Sequence, residues 1–157
     1  MESAEFRRIL GHWTTGVAVV ATRSAAGEPR GLTASAVASV SLEPPLVLAC
    51  VERCADTHGY IVDNGFFSVS ILPQAAERVA RRFAGEAADA KFDGIAWHAE
   101  VTGAPVLDEA LAWIDCTVHE VYDGGDHTIF VGQVVAGDAQ EGDPLVYYRS
   151  GFHRLVP

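Results

Sequence analysis

The spacing of apolar residues changes along the chain, and each change predicts a different element. Near the start, apolar side chains recur at intervals of three and four residues, which is the spacing of one helix face. These positions are Phe6, Ile9, Leu10 and Trp13. The pattern predicts a short helix that begins near Ser3, a suitable capping residue, and ends at Gly16. Because its apolar stripe is narrow, we expect this helix to lie on a sheet.

A β pattern follows. The β-branched run at 17–22 predicts a buried strand, and the segment 25–29, with its glycine and proline, predicts a hairpin loop. The chain then returns from Arg30 as one strand that ends at Pro44 and Pro45, because proline donates no ladder hydrogen bond. We also predict strands at 46–51, 66–72, 113–122, 127–136, 144–149 and 152–155, and short helices at 57–64 and 73–83. This pattern indicates a mainly β fold, a small closed or partly closed antiparallel barrel.

One part of the returning strand, Gly31–Ser41, is unusually poor in bulk. Small hydroxyl residues recur along it, and almost nothing between them is larger than valine. The hydroxyl positions are Thr33, Ser35, Ser39 and Ser41. Such a strand packs weakly against its own sheet, and a flat ligand can approach its backbone closely. The stretch is compatible with the wall of a cofactor pocket and equally with an ordinary strand rich in alanine and serine.

Length and composition narrow the possible classes of protein. The chain of 157 residues, 49% of them apolar, fits one domain spanning 1–157. Its formal net charge of −10 disfavours binding to nucleic acid or to a membrane surface, and no apolar run is long enough to span a bilayer. Three cysteines without a CxxC pair predict a reducing, cytoplasmic location. An anionic ligand needs a local cation, such as an arginine or Lys91, the only lysine.

Common catalytic and metal-binding motifs are scarce. The sequence has no Gly-x-Ser-x-Gly elbow, no Walker pattern and no Gly-x-Gly-x-x-Gly loop. Cys50, Cys54 and His58 are spaced for a common helix face, but a predicted loop interrupts them, so we predict no metal site. His127 directly follows the predicted turn 123–126, where its imidazole either reaches a ligand at a strand mouth or lies on the surface.

Several short motifs follow one another in a definite order. They are GVAVV (16–20), GLTAS (31–35), SVSLEPPLVL (39–48), GFFSVSIL (65–72), RFA (82–84), KF (91–92), GAPVL (103–107), GDHT (125–128) and PLVYYR (144–149). Each motif is weak alone, but the ordered set covers nearly the whole chain. In this order they resemble the flavin reductase family, the small reductase components of two-component flavin-dependent monooxygenases.

The resemblance implies a split β-barrel with an FMN-binding, Greek-key antiparallel fold. It also implies an oxidoreductase that transfers a hydride from NADH or NADPH to FMN or FAD and supplies reduced flavin to a partner monooxygenase. Members of the family are typically homodimers. Two other functions stay open: a flavin-dependent oxidase of the pyridoxamine-phosphate type, and a non-catalytic module that binds flavin or haem.

The resemblance further implies a set of site residues. Along the isoalloxazine edge it places Thr33, Ala34, Ser35, Ser39, Val40 and Ser41; beside the ring and ribityl chain, Cys50, Val51 and Glu52; near the phosphate, Arg53, Thr57, Lys91 and Phe83; and elsewhere in the pocket, Tyr148, Arg149 and Phe152. His127 would lie on the nicotinamide side as the catalytic residue. Because Cys54 and Ala55 stand where family members often carry serines, the phosphate contacts rest on the three residues Arg53, Thr57 and Lys91.

Overall fold

The computed structural model describes residues 1–85 and 87–155 as a mainly β structure with three short helices. The helices are α1 (Ser3–Leu10), α2 (Asp56–Asn64) and α3 (Glu77–Gly85), with a 3-10 turn, Gln74–Ala76, before α3. The strands are β1 (Thr15–Gly16), β2 (Ala18–Arg23), β3 (Pro29–Ala34), β4 (Val37–Ser41), β5 (Leu46–Glu52), β6 (Phe66–Ile71), β7 (Trp97–Ala99), β8 (Pro105–Leu107), β9 (Ala112–Gly124), β10 (His127–Ala139), β11 (Val146–Tyr148) and β12 (Gly151–His153). Within these residues no helix is both long enough and apolar enough to cross a membrane.

Seven of these strands form one sheet in the order β3-β2-β6-β9-β10-β5-β4, and every neighbouring pair is antiparallel. β3 and β4 are consecutive in the chain yet lie at opposite edges of this sheet, joined by Ser35 and Ala36. Because three Cα–Cα steps span at most about 11 Å, the sheet has to curl until its edges nearly meet. The Cys50 N–H donates to the Ala36 carbonyl at 2.9 Å, which continues the β4–β5 pairing into this link. The resulting incompletely closed sheet confirms the predicted split-barrel fold.

The predicted single strand from Arg30 to Pro44 is wrong, because the chain crosses from one edge of the sheet to the other within it. β3 pairs with β2, whereas β4 pairs with β5. The link between them, Ser35 and Ala36, is exposed. The residues on both sides of the link are small and are compatible with pairing to β2 or to β5. Neither the composition nor the alternation of side chains along a strand therefore shows where the chain changes from one edge of the sheet to the other.

Two apolar cores lie on opposite faces of the sheet. β2 contributes to both, because Val19 and Ala21 belong to one core while Ala18 and Val20 belong to the other. The first core packs the sheet against α3 and includes Leu72, Val79, Ala80, Phe83, Phe92 and Leu107. The second includes Ile61 of α2 together with Ala49, Val51, Phe67, Val69, Cys116 and Phe130. Each large apolar side chain buried in this way contributes about 1.5–3 kcal/mol to the stability of the fold. Packing on both faces therefore stabilises the curved sheet.

Helix α1 differs from its prediction in its length and its surroundings. It ends at Leu10, so Trp13 and the predicted end at Gly16 lie outside it, and Gly16 belongs instead to β1, which pairs with β11. Glu2 rather than Ser3 occupies the capping position, and its side chain makes no capping hydrogen bond. No residue of α1 is buried. Its apolar face is therefore not covered by the described part of the chain.

Candidate active site

A cleft of about 430 Å³ opens where β3, β5, β10 and α3 approach one another. The curled sheet brings its lining together from segments that are distant in sequence. The lining residues are Leu32, Thr33, Ala34, Ser35, Ala36, Cys50, Glu52, Cys54, Ala55, Phe83, Ala84, Lys91 and His127. The cleft therefore joins one end of the small-residue stretch to polar and charged groups from other parts of the chain.

The β3 side of the cleft consists of small residues that α3 supports from behind. The Thr33 hydroxyl donates to the Ala80 carbonyl at 2.6 Å, which ties the strand to the helix. A Cβ built on Gly31 would lie 3.1 Å from the Phe83 ring, so that ring packs directly against the backbone. Phe83 packs edge-to-face on Phe92, with ring centroids 4.8 Å apart. This wall is low in bulk and firmly supported, as a planar ligand requires.

A cationic side chain and a helix end meet on another side of the cleft. The Lys91 ammonium donates to the Gly31 carbonyl at 3.2 Å. Burial lowers the pKa of Lys91, and the nearby Asp56 carboxylate partly opposes this shift by raising it. Ala55, the capping position of α2, lines the same cleft. A lysine beside the amino-terminal end of a helix favours an anionic group such as a phosphate.

Arg30 is a second cation near this side that the sequence analysis missed. Its side chain is only 14% exposed, and its Nε lies 3.4 Å from a carboxylate oxygen of Asp56. Its Nη2 lies 2.8 Å from a carboxylate oxygen of Glu28. Asp56 thus lies close enough to Lys91 and Arg30 to interact electrostatically with both. The one signal in the sequence was an arginine directly before the GLTAS motif, and no spacing rule singles it out.

His127 lies at the mouth of the cleft as the first residue of β10. It is in register with Glu52, the last residue of β5, and both residues line the cleft. The His127 Nδ1 lies 2.7 Å from the Asp126 carboxylate, and this hydrogen bond lowers the pKa of Asp126. Cys50 lines the cleft from the same strand as Glu52, and burial raises the pKa of its thiol. The cleft therefore carries an imidazole at its mouth and a small thiol two residues before Glu52 along β5.

The flavin reductase like domain family matches residues 10–156 of this sequence. The chain belongs to this family. An NADH-dependent FAD reductase from Streptomyces globisporus is 39% identical, over 99% of this chain and 87% of that protein. The reductase component of a 4-nitrophenol 4-monooxygenase/4-nitrocatechol 2-monooxygenase from Rhodococcus opacus is 41% identical, over 100% of this chain and 83% of that protein. The resemblance seen in the ordered motifs is therefore confirmed.

Solved structures of flavin reductases share this fold. The NADH:FAD oxidoreductase SgcE6 of Streptomyces globisporus C-1027, in complex with NAD and FAD fragments, has a TM-score of 0.93 and 38% identity. That similarity covers 99% of this chain and 94% of SgcE6. BorF, the flavin reductase component of a bacterial two-component tryptophan halogenase, has a TM-score of 0.90 and 38% identity, covering 98% of both chains.

Eight of the residues predicted for the flavin reductase site come together in the cleft. They are Thr33, Ala34, Ser35, Cys50, Glu52, Phe83, Lys91 and His127. The sequence analysis did not place Leu32, Ala36, Cys54, Ala55 and Ala84 in the pocket, although they line it. Their position in the sequence could have indicated them, because each lies within or beside a segment that holds predicted site residues.

Other predicted residues lie away from this cleft in the described structure. Ser39, Val40 and Ser41 belong to β4, beyond the link and at the opposite edge of the sheet. The Val51 side chain is fully buried in the core, so it forms no part of the cleft wall. Thr57 lies in the first turn of α2 and is 2% exposed. The proximity expected of these side chains to the flavin therefore stays a prediction.

Three predicted residues belong to the β11–β12 hairpin. Phe152 lines a neighbouring cleft of about 440 Å³ that shares Thr33 and Ser35 with the first. Arg149 lines a further cleft of about 540 Å³ beside α1 and has a φ of +49°, within a two-residue turn of the hairpin. Tyr148 packs edge-on against His12. None of these three residues lines the cleft of about 430 Å³.

The Arg53 side chain contacts the turn between β9 and β10. Its Nε donates to the Gly125 carbonyl at 2.9 Å, and its Nη2 donates to the Asp123 carboxylate at 2.9 Å. The pKa of Asp123 is lowered, first by the Gly125 N–H and then by the Arg53 guanidinium. The guanidinium is thus engaged with the hairpin and not with the lysine side of the cleft, where the sequence analysis expected it.

The residues of the cleft fit a flavin. The β3 wall is flat, and Ser35 and Ala36 at its end are exposed and add little bulk. Leu32 supplies apolar contact for a ring system, and Phe83 packs behind the wall. Lys91 and the amino-terminal end of α2 suit the phosphate of a flavin nucleotide.

Proposed function

We propose that this chain is an NADH-dependent flavin reductase that reduces FAD or FMN. The observation that supports this most is the cleft itself, which combines a flat wall of small residues, a lysine beside a helix end, and a histidine at its mouth. A flavin, when bound, supplies the hydride-accepting chemistry. The chain's own part is to bind, to orient and to exclude water, and this requires no side-chain nucleophile.

The cleft residues have separable roles in this proposal. Backbone groups from Thr33 to Ser35 would hold the edge of the isoalloxazine and would stabilise negative charge on it. Lys91 pairs with the flavin phosphate, helped by the end of α2. Cys50 and Glu52 border the ring and the ribityl chain. The remaining predicted contacts of Arg149 and Phe152 would be with parts of the cofactors outside the cleft.

His127 is proposed to orient the nicotinamide and to supply a proton. We expect His127→Ala to lower kcat/KM for NADH by about 10²-fold, within the range of about 10²–10⁴ that a positioned acid or base contributes. The Kd for flavin should stay unchanged. His119→Ala is a matched control, because His119 is an exposed histidine on the same hairpin. Wild-type NADH kinetics in His127→Ala would exclude this role.

The decisive test of the proposed activity is a simple mixture. Purified protein is mixed with NADH and with excess FAD, with FMN or with no flavin, and the absorbance of the nicotinamide is followed. Loss of NADH that requires added flavin supports the reductase. An absence of loss with either flavin favours a binding module, and turnover of an amine substrate without nicotinamide favours the oxidase. A parallel series with NADPH establishes the preferred donor.

The product of this reaction suggests its destination. Reduced flavin is the substrate of flavin-dependent monooxygenases, and the relative from Rhodococcus opacus is named as the reductase component of such a system. We therefore propose that this chain supplies reduced flavin to a partner monooxygenase, as a single flavin reductase unit over residues 1–157. A cytoplasmic setting is in keeping with its three free cysteines, Cys50, Cys54 and Cys116.

An apolar surface beside α1 supports a homodimer. Phe6 is 55% exposed, Leu10 is 47% exposed and Trp13 is 74% exposed, and all three line one cleft. Exposed apolar residues of this size near one another are typical of protein interfaces. We expect the mass of a dimer in light scattering, and we expect Trp13→Asp to yield a monomer. Val62→Asp, a change at an exposed valine of α2, should leave the dimer intact, and a monomeric wild type would contradict the proposal.

A further inference from the structure

We propose that Arg53 is a positioning residue, which holds the turn between β9 and β10 and so presents the His127 imidazole to the cleft. This inference rests on the proposed reductase function and on the role of His127 in it. It differs from the phosphate contact that the family resemblance implied for Arg53, and the contacts of this side chain are the reason.

Arg53 contacts three residues at the end of β9 and in the turn that follows it. Its Nη2 donates to the Asp123 carboxylate at 2.9 Å, and its Nε donates to the Gly125 carbonyl at 2.9 Å. Its backbone N–H donates to the Asp126 carbonyl at 3.0 Å. The Asp123 carboxylate also accepts the Gly125 N–H at 2.9 Å, which closes the turn on itself. One arginine therefore contacts both residues of the turn, Gly125 and Asp126, and the end of β9 before it.

The position of Arg53 in the sheet explains why these contacts affect His127. The ladder between β5 and β10 ends with the pair Glu52 and His127, and Arg53 is the next residue after β5. The carbonyl of Asp126 accepts from Arg53, while the carboxylate of the same residue lies 2.7 Å from the His127 Nδ1. Any movement of the turn therefore moves the Asp126 carboxylate, which orients the imidazole.

Because its side chains are exposed, the turn relies on the β9–β10 ladder and on Arg53. The side chain of Asp123 is 81% exposed and that of Asp126 is 92% exposed, so neither is held by packing. Gly125 has a φ of +79° and adds no side chain. A lysine at position 53 would be a single point charge and would lack the planar fork that donates to two acceptors at once.

The same contacts argue against a direct role in binding phosphate. Lys91 and the capping residue of α2 line the cleft, whereas the Arg53 Nε and Nη2 are both directed to the hairpin. To reach a phosphate, the guanidinium would have to give up both hydrogen bonds. The two roles make opposite predictions for flavin binding, which allows them to be separated.

The experiment compares Arg53→Ala, Arg53→Lys and Asp123→Asn with wild type. The control is Arg8→Ala, which removes another exposed arginine paired with a carboxylate, that of Glu5. Three quantities are measured: the NADH kinetics with saturating flavin, the Kd values for FMN and for riboflavin, and the imidazole NMR signals of His127 in flavin-free protein.

We expect Arg53→Ala to lower kcat/KM for NADH by about ten- to a hundredfold, the size of loss that misplacement of a functional group by about 1 Å produces. The ratio of the FMN and riboflavin Kd values should not change, and the His127 signals should shift or broaden. Asp123→Asn should show the same changes to a smaller extent. Arg53→Lys should not restore the wild-type values, and Arg8→Ala should match wild type.

Two results would overturn the proposal. If Arg53→Ala weakens FMN binding while riboflavin binding is unchanged, Arg53 is a phosphate ligand. If kinetics and His127 signals both match wild type, the turn does not depend on Arg53. Should wild type itself fail to oxidise NADH with added flavin, the reductase proposal fails, and the His127 signals still report on the contact between Arg53 and the turn.

Discussion

β3 and β4 come from a single small-residue stretch, yet their surroundings are opposite. In β3, Gly31 and Ala34 are buried, and α3 packs behind the strand through Phe83. In β4, Ala38, Ser39 and Val40 are all exposed. β3 therefore forms a wall of the cleft with a packed layer behind it, whereas β4 forms an outer edge on which Val37 packs against the second core and the next three residues are exposed.

The difference between the two strands shows that residue size alone does not make a ligand wall. Small residues permit a close approach in both strands, but β3 has α3 behind it and lines the cleft with β5 and β10, whereas Val37 and Ala38 of β4 line the cleft beside α1. The wall that faces β3 comes from β5 and β10, which supply Cys50, Glu52 and His127. The function of the stretch is thus decided by what the sheet places opposite each half of it.

The largest effect should come from adding bulk behind the β3 wall. Gly31→Val should lower the free energy of unfolding by about 1–3 kcal/mol, the usual cost of overpacking, because its Cβ would meet the Phe83 ring at 3.1 Å and the Phe92 ring at 3.3 Å. Ala38→Val in β4 is the matched change at an exposed position and should stay within about 0.5 kcal/mol of wild type. Chemical denaturation measures both, and equal stabilities would show that β3 is no better supported than β4.

The next effect concerns flavin binding. Ser35→Phe places a ring in the cleft lining, and we expect the Kd for FMN to rise about tenfold, which corresponds to about 1.4 kcal/mol. Ser39→Phe changes another exposed serine only four residues further on, but in β4, and should leave the Kd unchanged. Quenching of flavin fluorescence gives both values. A larger loss of FMN affinity in Ser39→Phe would indicate that β4 contributes to the flavin site, as the family resemblance implied.

The smallest effect tests the cation beside β3. Lys91→Gln should weaken FMN binding by about fivefold, or about 1 kcal/mol, and leave riboflavin, which has no phosphate, unaffected. Binding requires the protonated ammonium, and burial lowers the Lys91 pKa below 10.5. The FMN affinity of wild type should therefore fall more steeply than that of Lys91→Gln as the pH rises through the alkaline range. Equal losses for FMN and riboflavin would show that Lys91 contacts another part of the ligand.

Local pattern was enough to predict most elements. The buried run at β2 and the alternation along β9 are visible in the sequence because each reflects contacts within one strand and its immediate neighbours. Gly65 ends α2 with a φ of +69°, as its position after the predicted helix indicated. The end of α1 was missed because Trp13 continues the helical spacing although the chain has already turned at Gly11.

The site was only partly predictable, for a related reason. The ordered motifs pointed to Thr33, Lys91 and His127, which do line one cleft. They also pointed to Arg53, whose side chain could be placed only after the turn at 123–126 was found within its reach. A long, flexible side chain can contact any group within its reach in space, so its place beside a motif in the sequence does not determine its partners.

The sequence by itself determined the mainly β character, the membership of the flavin reductase family and the presence of a stretch small enough to admit a flat ligand. These follow from residue size, hydrophobicity and order along the chain. The tertiary structure decided that this stretch divides at Ser35 and Ala36 between two edges of a curled sheet. Closure of the sheet brings β3 opposite His127 and leaves β4 outside the cleft. Local sequence does not show this closure, because it depends on pairings between strands far apart in sequence.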